Sequence, residues 1–171
     1  MFPKVVNIKM VNLYAPAKLT LSLEIKGIRD DGYHLIEAEM VSLDLMDELE
    51  IHDDEGGGCI EVSTEYLNQP WGFDTESSVP DNENNLVSKA LNLLNTEKSV
   101  YIRKKIPPGT GLGGGSADAA AVLRWGKFED LVAASRLGAD VPFCLQGGRA
   151  IVAGIGEKIT PVAHREQTFT L

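Results

Sequence analysis

The chain has 171 residues, of which 43% are hydrophobic and 24% are charged, and its formal net charge at pH 7 is −9. This length suits one globular domain, and the acidic balance argues against binding to nucleic acid or to an acidic membrane, which requires a basic face. The two cysteines and three histidines have no metal-ligand spacing, and no apolar run is long enough to cross a bilayer. We therefore expect a cytoplasmic, single-domain protein without a zinc site.

The first third of the chain has the pattern of β-structure. Residues Leu19–Lys26 alternate apolar and polar side chains, which predicts a half-buried strand. Turn residues at Gly27 and Asp30–Gly32 then predict a hairpin-like return. Three further strands are expected at His34–Leu45, at Glu48–His52 and, after a turn at Gly56–Gly58, at Cys59–Ser63.

Helices and strands are mixed in the rest of the chain. The polar segment 64–85 predicts a long surface loop, and the helical spacing that follows predicts a helix over Asn85–Leu94 with Asn85 as its N-cap. Because neighbouring strands are joined by short links, we predict an α+β domain with a mainly antiparallel sheet. The remaining predicted elements are a strand at Ser99–Ile106, helices at Ala117–Trp125 and Phe128–Leu137, and a strand region at Arg149–Ile159.

The segment PGTGLGGGS, residues 108–116, holds five glycines in seven positions. A flexible linker is disfavoured because the segment joins a predicted strand to a predicted helix within one small chain. It matches the G-x-G-x-x-G pattern of dinucleotide-binding loops, but several strands precede it, whereas that loop follows the first strand of a βαβ unit. It also lacks the lysine of a Walker A loop. The pattern therefore fits neither of these two motifs.

The physics common to such loops still predicts an anion site. Successive glycines let backbone N–H groups converge on one anion, and the N-terminus of the next helix adds further donors. Ser116 is then a helix N-cap, a phosphate donor or an oxygen ligand for Mg²⁺, and Asp118 is either an exposed first-turn residue or a second group that holds the metal. The predicted phosphate loop comprises Pro108, Gly109, Thr110, Gly111, Leu112, Gly113, Gly114, Gly115 and Ser116.

Three segments together resemble a known family: APAK at 15–18 with DGYH at 31–34, the glycine loop, and GADVPF at 138–143. They resemble the GHMP kinase superfamily, over about Tyr14 to Glu157. The resemblance implies the N-terminal domain of an ATP-dependent kinase, a ribosomal-protein-like two-layer fold, with ATP and Mg²⁺ as cofactors. It also implies a second, C-terminal domain beyond residues 1–171, so we expect weak or absent turnover from these residues alone.

The resemblance also assigns roles to individual residues. Asp140 matches the base that accepts the proton of the substrate hydroxyl, and Lys18 matches the lysine that pairs with this base, polarises the hydroxyl and offsets charge in the transition state. Tyr33 and His34 match residues that hold a cytosine by stacking and by hydrogen bonding. The implied substrate is a cytidine-diphosphate-linked methylerythritol, phosphorylated on its 2-hydroxyl. The other implied contacts are to adenosine, from Asn85 and Lys89, and to the substrate, from Thr20, where the family usually has asparagine.

Two alternatives stay open at this point. Another kinase of the superfamily, acting on homoserine, mevalonate or galactose, would share the glycine loop. A non-catalytic RNA-binding module of similar fold would need a basic, aromatic-rich face, which the acidic composition disfavours.

The segment between Leu123 and Leu131 is also shorter than the resemblance implies, which leaves the helix register there undetermined by the sequence.

Overall fold

In the computed structural model, which describes residues 10–52, 58–65, 79–163 and 165–171, one six-stranded sheet packs against four helices. Gly56 and Gly57 of the predicted turn at Gly56–Gly58, and residues 66–78 of the predicted surface loop, lie outside the described residues. The strands are β1 (Met10–Ile28), β2 (His34–His52), β3 (Ile60–Thr64), β4 (Ser99–Lys104), β5 (Arg149–Gly154) and β6 (Lys158–Pro161). The helices are α1 (Leu86–Leu93), α2 (Gly114–Trp125), α3 (Leu131–Ser135) and α4 (Val141–Gln146).

β1 and β2 form a long hairpin, in which β2 is the central strand of the sheet and β1 lies at the edge of the described strands. The two strands pair antiparallel over nearly their whole length, with three register shifts. On its other edge β2 pairs antiparallel with β5 at residues 36–41 and with β4 at residues 48–52, so that residues 42–47 lie between these two partners. β3 pairs parallel with β4, and β6 pairs antiparallel with β5. The predicted α+β class with a mainly antiparallel sheet is confirmed.

β2 is one continuous strand, and the prediction of two separate strands was wrong. Between the pairs Pro16–Met46 and Lys18–Ser42, three residues of β2 lie opposite the single residue Ala17 of β1. Across this irregularity the buried positions of β2 change from even numbers (38 and 40) to odd numbers (47, 49 and 51). The alternation that marks a strand is therefore broken, and the break follows the consecutive apolar residues 45 and 46, where the sequence alone suggests a strand end.

Helix boundaries also differ from the predictions. Helix α2 begins at Gly114 rather than Ala117, and its N-cap is Gly113, so the alternative that made Ser116 the N-cap was wrong. Helix α4 was not predicted, because GADVP suggests a turn, although proline is well tolerated in the first turn of a helix. Helix α3 is shorter than the predicted helix, β4 ends two residues earlier, and the final strand region divides into β5 and β6.

The core lies between the helices and one face of the sheet. Helix α2 is almost completely buried from Ala117 to Leu123, and its run of alanines allows the helix to approach the strands closely. Facing it are buried side chains from four strands, among them Ala15, Leu49, Ile102 and Val152. None of the helices in the described parts of the chain is long and apolar enough to cross a membrane. The packed helix layer fixes where α2 begins, and the glycine loop leads directly into it.

Candidate active site

The glycine loop connects the end of β4 to the start of α2. Gly109, Gly111 and Gly113 all have positive φ, at 74°, 78° and 71°, a conformation that side chains other than glycine rarely adopt. Every second residue of this stretch therefore has a left-handed backbone. Such an arrangement turns successive N–H groups toward a common point, as in anion-binding nests. Together with Val79, Pro80, Lys104 and Ile106, residues Pro107–Gly115 line a cavity of about 230 Å³. The loop therefore forms a concave, donor-rich surface at the N-terminus of α2.

The loop is fixed to the centre of β1. Leu112 is buried and packs with Ala17 and Ile106, which form a small apolar cluster apart from the main core. The backbone N–H of Lys18 donates to the carbonyl of Leu112 at 2.9 Å. A Cβ atom on Gly113 would lie 2.9 Å from Lys18 Cγ and 3.2 Å from Lys18 Cε. The Lys18 side chain thus passes directly against the loop.

Lys18 and Asp140, which the sequence places 122 positions apart, form an ion pair. Lys18 Nζ lies 3.3 Å from Asp140 Oδ2, with the two side chains 10% and 31% exposed. Lys18 Nζ also donates to Thr20 Oγ1 at 3.1 Å, which places Thr20 at the same ammonium group. The pair combines a proton acceptor with a fixed positive charge.

Asp140 owes its position to helix α4. It occupies the N-cap position of α4, but its side chain accepts no capping hydrogen bond, so the carboxylate can turn to Lys18. Ser116, in the first turn of α2, faces the same segment, because its Oγ lies 3.5 Å from where a Cβ on Gly138 would be. The N-termini of α2 and α4 therefore lie close together, with Ser116 between the loop and the segment that carries Asp140.

Asn85 and Lys89 are positioned differently from each other. Asn85 is buried and caps α1, accepting from the Val87 N–H at 2.8 Å and donating to the Pro80 carbonyl at 2.6 Å. Through Pro80 it supports one wall of the cavity beside the glycine loop. Lys89 lies one turn further along α1 and is exposed. The predicted N-cap role of Asn85 is confirmed, whereas its predicted contact with adenosine stays a prediction, as does that of Lys89.

Tyr33 and His34 lie at the far end of the β1–β2 hairpin. Tyr33 is 59% exposed, and the Arg29 guanidinium carbon lies 5.4 Å from its ring centroid. Because His34 pairs with Ile28, ten residues of β1 separate this end from Lys18, which is at most about 33 Å at the usual rise per residue, and two register shifts interrupt the pairing of this stretch. The structure therefore does not bring these two residues into contact with the ion pair, and it presents them to solvent.

Sequence reasoning missed a buried ionic cluster beneath the loop. Lys104 is 2% exposed, and its Nζ donates to Asp118 Oδ2 at 2.7 Å and also to Asp47 Oδ2. Asp118 is therefore not the exposed residue that one alternative assumed, because it lies on the face of α2 that packs against the sheet. A signal was present in the strand alternation, since Val100, Ile102 and Lys104 are the inward positions of β4.

Burial and charge act in opposite directions on this cluster. Burial lowers the pKa of Lys104, but the two neighbouring carboxylates more than compensate, so that its pKa is raised above the ordinary value. Burial raises the pKa of Asp118 to about 7, an effect that the attraction of Lys104 only partly offsets. Lys104 is therefore charged at neutral pH, whereas Asp118 changes its protonation near neutrality.

Comparison with known proteins supports the resemblance drawn from the motifs. Residues 85–148 match the family model described as "GHMP kinases N terminal domain". The chain is 38% identical to the 4-diphosphocytidyl-2-C-methyl-D-erythritol kinase of Acaryochloris marina, over 93% of the chain and 53% of that protein. It is 40% identical to the protein of the same name from Thermoanaerobacter pseudethanolicus, over 87% of the chain and 52% of that protein.

A solved structure agrees with these sequence matches. The crystal structure of 4-(cytidine 5'-diphospho)-2C-methyl-D-erythritol kinase superposes with a TM-score of 0.62 at 32% identity, over 90% of this chain and 55% of that chain. The predicted resemblance to the GHMP kinases and the predicted fold are thus confirmed. The chain spans about half the length of the relatives it matches.

Proposed function

We propose that this chain, which shares the N-terminal domain of the GHMP kinases, is the ATP-binding and catalytic part of a small-molecule kinase. The observation that carries the proposal is the Lys18–Asp140 ion pair, which lies directly against the glycine loop. Phosphoryl transfer needs little covalent help from a protein, because most of the catalysis comes from positioning and charge stabilisation. A phosphate loop beside a carboxylate and an ammonium group supplies these requirements.

In this proposal the glycine loop holds the phosphates of ATP. Backbone N–H groups of the loop and of the first turn of α2 donate to the phosphate oxygens, with the positive end of the helix dipole behind them. This arrangement explains how a chain with net charge −9 can bind a polyanion, since the favourable donors are local. Thr110 donates to the Pro107 carbonyl at 2.8 Å and thereby supports the conformation of the loop.

Asp140 and Lys18 act on the acceptor hydroxyl. Asp140 accepts the proton as the hydroxyl oxygen forms its bond to the γ-phosphorus, and the bond between that phosphorus and the bridging β–γ oxygen breaks to release ADP. Lys18 offsets the negative charge that develops on the transferred group. Thr20, which accepts a hydrogen bond from Lys18 Nζ, fixes the direction of the ammonium group.

The residues present fit a magnesium ion that arrives with the nucleotide. In the described parts of the chain, no three His, Cys, Asp or Glu side chains come together to hold a metal by themselves. Mg²⁺ is typically held by one or two protein oxygens together with substrate phosphates, and the Ser116 hydroxyl is a suitable oxygen at the loop. When bound, the ion would neutralise charge on the phosphates.

For the acceptor we propose a cytidine-diphosphate-linked methylerythritol, phosphorylated on its 2-hydroxyl. Support comes from the names of the similar proteins, which act on such a compound, and from the exposed Tyr33 and His34. An aromatic face and an imidazole can stack on a pyrimidine and donate to its edge. We further propose a cytoplasmic location, where ATP is available.

Single-turnover transfer from γ-labelled ATP, with the chain in excess over the labelled nucleotide, tests this function. We expect binding of ATP by titration calorimetry and slow transfer to the cytidine-diphosphate-linked acceptor, with no transfer to homoserine, mevalonate or galactose. Asp140→Asn should slow transfer by about 100-fold or more, the usual contribution of a general base, and leave the Kd for ATP within about threefold of wild type. Glu129→Gln, an equivalent change at an exposed position, is the control.

Three results would contradict the proposal at different points. Absence of ATP binding by the folded chain would remove the nucleotide site itself. Transfer by Asp140→Asn at the wild-type rate would remove Asp140 as the base, while leaving ATP binding in place. Equal transfer to another acceptor would favour a different kinase of the superfamily.

A further inference from the structure

The cluster of Asp47, Lys104 and Asp118 connects three elements at one point beneath the glycine loop. Lys104 is the last residue of β4, Asp47 belongs to β2 and Asp118 belongs to α2. All three side chains are at least 97% buried. The proposed phosphoryl transfer uses none of these three side chains directly, so their burial at this point needs a separate explanation.

Both ends of the glycine loop are attached to this cluster. At the loop's beginning, Asp47 Oδ1 accepts from the backbone N–H groups of Lys105 at 2.5 Å and Ile106 at 2.8 Å. At its end, Asp118 accepts from Lys104 one turn into α2. A Cβ on Gly114, the first residue of α2, would lie only 3.0 Å from Lys104 Nζ. The ammonium group therefore lies directly under the junction of loop and helix.

The energetics argue that stability is not the reason for the cluster. One ammonium group and two carboxylates leave a net charge of −1 when all are ionised, beside a site for an anion. Burial opposes the charge on Asp118, whose pKa is raised to about 7. Its second oxygen, Oδ1, is buried and has no hydrogen-bond partner in the part of the chain that the structure describes. Apolar replacements of buried ion clusters are often neutral or stabilising, whereas such clusters can specify geometry.

We propose that Asp118, through its hydrogen bond to Lys104, is a positioning residue that holds the start of α2 at the distance from β4 at which the loop binds phosphates. This inference rests on the proposed function, ATP binding by the glycine loop. Asp47 sets the other end of the loop by accepting its first two N–H groups. The ammonium group of Lys104 donates to both Asp47 and Asp118. This one group therefore fixes the spacing of the two loop ends.

Two substitutions of Asp118 distinguish the loss of its hydrogen bond to Lys104 from the loss of its negative charge. Asp118→Ala removes the link and leaves Lys104 with Asp47 as a balanced pair, in a helix where alanine is favourable. We expect it to fold with a denaturation midpoint close to wild type, but to weaken binding of ATP and of inorganic tripolyphosphate by at least about tenfold. Amide hydrogens of residues 109–115 should exchange faster without nucleotide. Asp118→Asn, whose amide oxygen can still accept from Lys104, should bind both ligands within about threefold of wild type.

Arg103→Met is the matched control. Arg103 precedes Lys104 in β4 but forms its ion pairs with Glu48 and Glu50 and is 38% exposed. Its loss breaks a link between β4 and β2 away from the loop, so phosphate affinity and loop exchange should not change. If Asp118 only stabilised the fold, the loss of affinity for ATP and tripolyphosphate would follow the loss of stability in Asp118→Ala, Asp118→Asn and Arg103→Met alike.

The possible outcomes distinguish failure of the proposed ATP binding from failure of the positioning role of Asp118. If the wild-type chain binds neither ATP nor tripolyphosphate, the proposed function fails, and the exchange rates still test the positioning role. If Asp118→Ala binds both ligands normally, or if Asp118→Asn loses as much affinity as Asp118→Ala, the positioning role is overturned. Should Asp118→Ala not fold, Asp118→Ser replaces it. Failure of both to fold would also overturn the proposal, because the cluster would then be required for folding itself.

Discussion

Replacement of Gly113 by alanine should disturb the loop and Lys18 together. Gly113 has φ of 71°, so any side chain there carries a backbone cost, and the new Cβ would also meet Lys18 Cγ at 2.9 Å. Lys18 cannot easily move away. Its N–H is bonded to the Leu112 carbonyl, and its Nζ is held by Thr20 and Asp140.

Gly111 provides the comparison that isolates the contact with Lys18. Its φ of 78° is similar, but nothing lies within 4 Å of a Cβ placed on it. Gly111→Ala should therefore carry only the left-handed backbone cost of roughly 1–2 kcal/mol. Gly113→Ala adds overpacking against a fixed side chain, typically about 1–3 kcal/mol, so we expect a total loss of roughly 2–5 kcal/mol in the free energy of unfolding.

Urea denaturation of the two variants measures the stability difference, and ATP titration measures its effect on the site. We expect Gly113→Ala to be less stable than Gly111→Ala by at least about 1 kcal/mol. Equal stability of the two variants would refute the reasoning, because it would mean that the loop and Lys18 do not pack as described. Lys18→Ala in the Gly113→Ala background should recover part of the lost stability if the contact is the cause.

Three other predictions follow from buried groups. Asn85→Ala should lower the free energy of unfolding by about 1–2 kcal/mol in urea, since it removes the N-cap of α1, whereas Asn85→Ser, which keeps a capping acceptor and places no second oxygen against the Pro80 carbonyl, should lose less. A thiol reagent should label exposed Cys59 quickly and Cys144 only on unfolding, because burial raises the pKa of Cys144 to about 12; fast labelling of two thiols in the native chain would contradict this. Burial raises the pKa of Asp118 from 3.8 to about 7, so its contribution to stability is present below pH 3.8 and is lost as pH rises toward 7. Relative to wild type, Asp118→Asn should therefore be more stable at pH 8 than at pH 5, and an unchanged difference in denaturation midpoints would show that Asp118 has an ordinary pKa.

Local sequence patterns predicted the parts of the fold that depend on neighbouring residues. The capping asparagine of α1 was correctly predicted, since it depends on contacts a few positions along the chain. The existence of α2 after a glycine loop was predicted for the same reason. Its first residue was not, because a glycine at the N-cap leaves no side-chain signal that a sequence pattern could show.

Contacts between distant segments set the limit of what the sequence could predict. The continuity of β2 depends on an irregular pairing with β1, and no single alternation runs through the strand because its buried positions change from even to odd numbers across that irregularity. Likewise, Asp47 and Asp118 look like ordinary surface residues. The alternation of β4 places Lys104 at an inward position, but only the stacking of β2, β4 and α2 brings the three side chains together. The Lys18–Asp140 pair was expected from the family resemblance, since the spacing of the two residues does not indicate it.

The site divides into two parts that the fold supports very differently. The phosphate loop, Lys18 and Asp140 are held by burial, hydrogen bonds and the ionic cluster below them, and such rigid support suits chemistry that depends on accurate positioning. Tyr33 and His34 instead lie on an exposed hairpin end, where Tyr33 contacts Arg29 of the same turn. In the proposed function, a phosphoryl group is transferred in the first part whatever the acceptor is, so the choice of acceptor would depend on the second. Changes at the hairpin end should therefore alter which molecule is phosphorylated while leaving ATP binding and the stability of the loop intact.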